Sequence, residues 1–61
     1  MALRYEIDTV TSSLNDIASR ITAIVEAGHD LPGDIYVEIV AAERTIGTLI
    51  RRLERVGSRL T

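Results

Sequence analysis

Aliphatic positions recur along this chain in two long heptad runs. Leu3, Ile7, Val10, Leu14, Ile17, Ile21 and Ile24 fall at alternating steps of four and three. Ile35, Ile39, Ala42, Ile46, Leu49, Leu53, Val56 and Leu60 repeat the pattern. Such steps put apolar groups on one stripe of an α-helix and form the seam of helices packed side by side. A period-two alternation over LRYEIDT offers a short strand instead, but the heptad run covers far more chain. The spacing predicts helix 1 at about 3–27. Ser and Thr in TVTSS lower helix propensity there, and Ser13 with Asp16 offers a capping box for a later start. The second run passes straight through DIYVEIV (34–40), whose residues favour strands. Propensity differences below ~1 kcal/mol per residue yield to a seam that buries a residue every turn, so helix 2 is predicted at about 34–60.

Between the runs lies AGHDLPGD, with a loop at about 28–33. Gly28 suits the left-handed residue that follows a helix end. Pro32 fits the first turn of a helix, and Asp30 or Asp34 is placed to cap helix 2. A loop this short folds the helices back antiparallel, giving a single αα-hairpin domain over 1–61.

Two helices alone cannot shield two complete seams. Helix 2 carries a second stripe, Tyr36, Val40, Glu43, Gly47, Ile50 and Glu54, again at steps of four and three. Gly47 in a helix interior costs roughly 1 kcal/mol against alanine, which predicts a close backbone approach there. The matching flank of helix 1 (Arg4, Thr11, Ala18, Val25) is smaller and more polar. The expected fold is therefore all-α: an antiparallel helical hairpin that pairs into a homodimeric four-helix bundle, a coiled-coil-like assembly. Tyr36, Val37, Val40, Gly47 and Ile50 are the expected dimer or partner interface. Val37 lies off both stripes and, with Tyr36 and Val40, makes one end of helix 2 apolar nearly all round, as partner sites often are.

Composition narrows the stabilising devices. A chain of 61 residues buries only about 60% of the surface its unfolded form exposes. It has no cysteine and one histidine, His29, so disulfides, thiolate metal sites and a multi-histidine site within one chain are excluded. Association with a partner chain is the remaining staple. With no glycine-rich phosphate cradle and no nucleophile beside His29, no catalytic residue, cofactor or metal is expected. No stretch approaches the roughly 18 apolar residues of a membrane span, and the N-terminal segment lacks the pattern of a secretory signal, so a cytoplasmic location is expected.

Charge is segregated. Eight of the nine acids precede residue 44, and five of the seven arginines are Arg44, Arg51, Arg52, Arg55 and Arg59. These five are candidate phosphate contacts to RNA or DNA. They also complement the dipole of a helix C-terminus, and an antiparallel hairpin brings them near Glu6 and Asp8. No aromatic residue interleaves them to stack on bases.

In length and heptad layout the chain resembles the dimeric helical hairpins that control plasmid copy number. No residue motif is shared, so neither their RNA-binding residues nor their function carries over. A ribbon-helix-helix arrangement with LRYEIDT as strand conflicts with the seam through Leu3 and Ile7. The expected function is a non-enzymatic protein–protein interaction module: an adaptor, a chaperone-like subunit or a regulator sequestering a partner through helix 2. The partners are a second copy of the chain and another protein. A nucleic-acid-binding regulator using the arginine face is the alternative, and a purely structural assembly piece or an engineered model bundle also fits the regularity.

Overall fold

The computed structural model describes residues 2–60. Helix α1 spans Ala2–Ala27, a single 3-10 turn spans Gly28–Asp30, and helix α2 spans Gly33–Arg59. Among the described residues there is no strand. The hairpin is a rod measuring 46 × 15 × 12 Å.

LRYEIDT is helical, and α1 continues through TVTSS without interruption. Thr11 of that stretch and Asn15 just beyond it turn onto their own helix. The Thr11 hydroxyl donates to the Ile7 carbonyl at 2.8 Å, and the Asn15 amide donates to the Thr11 carbonyl at 3.0 Å. Thr45 and Thr48 do the same on α2. Bonding to a carbonyl four residues back lets these residues stay helical despite their preference for caps and turns. No late helix start forms at Ser13, and DIYVEIV occupies the first two turns of α2.

The turn differs from the sequence reading in three respects. Gly28 is not left-handed; no described residue has positive φ. Space favours its glycine instead, since Leu31 would have to give by a few tenths of an ångström to admit a Cβ. A Cβ there would stand 3.1 Å from Leu31 Cδ1 and 3.4 Å from Tyr36 Cδ1, so Leu31 and the Tyr36 ring fold over bare backbone. Pro32 sits just before the first turn of α2, its carbonyl accepting the Tyr36 N–H at 3.0 Å. Neither aspartate supplies a side-chain cap: Asp34 lies in the first turn of α2 and Asp30 in the 3-10 turn. Asp34 still complements the helix dipole.

Ile50 is the apolar side chain most completely covered, at 8% exposure. In a chain of two helices, what α2 covers it covers against α1 or the short turn. The half-buried positions of α1 are Arg4, Ile7, Thr11, Leu14, Ala18, Ile21, Thr22 and Val25. Those of α2 are Ile39, Val40, Glu43, Ile46, Gly47, Thr48 and Leu53, beside buried Ile50 and Gly57. Two features fix the register. The Thr22 hydroxyl donates to Glu43 Oε2 at 2.7 Å, and Gly57 faces Ile7, whose Cγ2 would lie 3.7 Å from a Cβ at that glycine. The helices thus meet along a line set one residue past the Leu3–Val10–Ile17–Ile24 ridge, where Thr11 and Ala18 are small.

Gly47 faces α1 but is not pressed by it. A Cβ there would meet only the Arg51 guanidinium, at 3.6 Å, so the expected close backbone approach does not occur. Gly47→Ala is expected to raise stability by about 1 kcal/mol, read as a higher thermal midpoint by circular dichroism at fixed protein concentration. Thr22→Val removes the hydroxyl at constant shape and leaves Glu43 without its inter-helix donor. A loss of about 1 kcal/mol is expected in urea unfolding.

Candidate partner-docking face

The packing of α1 on α2 leaves a definite surface open. On α1, the line 4-11-18-25 meets α2; the line 3-10-17-24 lies one residue earlier, about 100° around the helix. On α2, the line 36-43-50-57 meets α1; the line 35-42-49-56 again lies one residue earlier. In an antiparallel pair, equal rotations about each chain direction bring both outer lines to the same side. Leu3, Val10, Ile17 and Ile24 therefore share one face with Ile35, Leu49, Val56 and Leu60. All eight are 41% to 50% exposed. Half-buried Ile7, Leu14, Ile21, Ile39, Ile46 and Leu53 form the floor between the two ridges. The result is one continuous aliphatic face along the rod.

The opposite side is polar. A shallow groove between the helices is lined by Arg4, Asp8, Ser12, Asn15, Glu54 and Ser58. Arg4 pairs with Asp8 at 3.3 Å, and Arg20 pairs with Asp16 at 3.4 Å. Both are exposed pairs one helical turn apart, of the kind that adds little stability.

Total accessible surface is 4730 Å². A compact folded chain of this mass exposes about 3,900 Å² by the general size scaling. The excess is roughly 800 Å², about what one partner contributes to a protein–protein interface of standard size. Isolated exposed aliphatic residues are ordinary on proteins; a contiguous ridge of this length is the kind of patch that marks an interaction site.

The five residues expected at an interface lie apart from this face. Ile50, Gly47 and Val40 are on the side of α2 that meets α1, where the chain itself covers them wholly or in part. Tyr36 lies over Gly28 at the loop end. Val37, at 63% exposure, stands away from both ridges. The open face is built instead from the two heptad seams that the sequence reading assigns to the hairpin's own core. A signal was present: Thr11, Ala18 and Gly57 mark the sides on which two helices approach most easily.

The five arginines are exposed. Arg52, Arg55 and Arg59 lie around Val56, and Arg44 and Arg52 around Leu49. Arg55 also lines an adjoining depression with Arg51, Glu54 and Ser58. Arg51 donates to the Thr48 hydroxyl at 3.3 Å. Asp8 is held by Arg4 of its own helix. His29 is exposed in the 3-10 turn. Among the described residues no group of three or more His, Cys, Asp or Glu could hold a metal ion, and no helix is long and apolar enough to cross a membrane. Comparison of the chain with protein-family models, curated proteins and solved structures returns no match.

Ile50 is the centre of the contact between the two helices. Ile50→Ala is expected to cost about 2–4 kcal/mol, as core truncations of this kind do. The measurement is the denaturant midpoint, with Val37→Ala as the exposed reference that leaves it nearly unchanged.

Proposed function

We propose that this chain is a non-enzymatic protein–protein interaction module that works by completing a helical bundle. The observation that carries this is the continuous aliphatic face formed jointly by α1 and α2. A partner seated there supplies the cover that the hairpin lacks. An interface of standard size covers about 800 Å² on each partner, and its apolar part contributes roughly 25 cal/mol per Å² gross. Association costs of about 4–15 kcal/mol and the ordering of side chains are subtracted from it. The docking surface is thus a two-helix face, broader than a site confined to helix 2. In an adaptor or sequestering regulator the captured element would be an amphipathic helix or helix pair presenting its own aliphatic stripe.

Nucleic-acid binding through Arg44, Arg51, Arg52, Arg55 and Arg59 finds less support. Glu54 interrupts the set, and no aromatic residue stands among the arginines to stack on bases. Arg52 and Arg59 sit at the rim of the aliphatic face, where bundle formation gives them a different use.

Ile17 is half exposed at the middle of the α1 ridge. Ile17→Asp places a charge on the docking face while sparing the line that meets α2. It is expected to abolish association in sedimentation equilibrium or to lower helicity by removing the cover. Ser19→Asp, an exposed substitution on the same helix, is expected to do neither. Indistinguishable mass, helicity and thermal midpoint for the two variants would overturn the docking face.

A further inference from the structure

Resting on that docking face, we infer that its occupant is a second copy of this chain, seated with its loop at the opposite end of the bundle. The face is self-complementary: two aliphatic ridges of equal heptad spacing over a shared floor, presented on a rod that leaves about one interface side uncovered. Closed pairing of identical faces requires a two-fold axis. Two orientations satisfy this. An axis along the rod puts both loops at one end; an axis across it puts them at opposite ends.

Charge separates the two. The loop half of the rod carries Asp16, Glu26, Asp30, Asp34, Glu38 and Glu43 against Arg20 and Arg44, a net charge of −4. The open half carries Arg4, Arg51, Arg52, Arg55 and Arg59 against Glu6, Asp8 and Glu54, a net charge of +2; together these give the −2 of the whole chain. Loops at the same end would stack acidic end on acidic end. Loops at opposite ends set each acidic half against the partner's basic half.

At the rim each orientation offers one kind of opposed charge pair, so the choice rests on the charge of the two halves. With loops at opposite ends, α2 runs antiparallel along the partner's α2. Glu38 then comes opposite the partner's Arg59, and Thr45 opposite the partner's Arg52. Along the α1 pair, the same axis, in the register that joins Thr22 to Glu43, sets Glu6 opposite the partner's Ala27. With loops at the same end, α1 lies along the partner's α2 in the register that joins Thr22 to Glu43. Glu6 then meets the partner's Arg59, but Arg52 meets only the partner's Ser13 and Glu38 only the partner's Ala27. Exposed charges are screened within about 8 Å at physiological salt and are individually weak. They do not hold the dimer together. They choose between two arrangements whose apolar contact is alike.

The chain has no cysteine, so His29→Cys gives one labelling site per chain, on the exposed turn. The spin-labelled full chain is examined by sedimentation equilibrium and by pulsed dipolar spectroscopy. The expected result is a dimer with a label separation close to the 46 Å length of the rod. A dimer with labels within ~20 Å, as helices spaced 8–10 Å apart require when the loops share an end, overturns the orientation and leaves the docking face standing. A folded monomer at tens of micromolar overturns the second copy as occupant. The docking face itself falls only if Ile17→Asp behaves like Ser19→Asp in the same assays.

Discussion

A helix can offer a neighbour only part of its circumference, and every other feature of this hairpin follows from that limit. Each helix carries an aliphatic stripe wider than one partner helix can cover. The first neighbour, fixed by a short turn, takes one edge of each stripe. The other edge is left in water over the full length of the rod. Among the described residues only Ile50 is an apolar side chain brought below a tenth of its full exposure. A marginal core and a long open ridge are two results of the same geometry.

Which edge is taken is decided by size and by a few polar fixtures. Thr11 and Ala18 on α1 and Gly57 on α2 present low relief, so the helices settle along them. The Thr22–Glu43 bond sets the register near the loop, and Gly57 against Ile7 sets it near the open end. Leu31 and Tyr36 close over Gly28 and hold the reversal. The larger groups, Leu3, Ile17, Ile24, Leu49 and Val56, are thereby turned outward. Bulk on the outside is unfavourable for a lone hairpin and suitable for half of a bundle.

This division explains what could be read from the residues and what could not. Both helices, the reversal between them and the helical state of DIYVEIV follow from a period that Ile35, Ile39, Ile46 and Leu53 keep through β-favouring neighbours. Periodicity identifies the stripe but is nearly indifferent to rotation within it. Moving the contact line from Leu3–Val10–Ile17–Ile24 to Arg4–Thr11–Ala18–Val25 is a shift of one residue, and hydrophobicity alone favours the first line. Close approach favours the second. Ile50 and Val40 were therefore legible as buried, but not as buried within the chain. Gly28 illustrates a related ambiguity: glycine permits both a left-handed backbone and a close-packed ring, and only the surroundings of Tyr36 distinguish them.

The chemistry of the open face also constrains the kind of recognition it can support. It is wholly aliphatic; Tyr5 and Tyr36, the two aromatics of the chain, are not among its ridge residues. Large aromatic anchors, which dominate many interfaces, are absent from it. Affinity on such a face comes from area, and heptad spacing restricts sliding to whole repeats. Neither distinguishes one end of the rod from the other. Direction has to come from the charges around it, acidic in the loop half and basic in the open half. The segregation of acids and arginines is then the information that an aliphatic surface lacks. In the dimer proposed above, the basic C-terminal third would serve to orient the bundle.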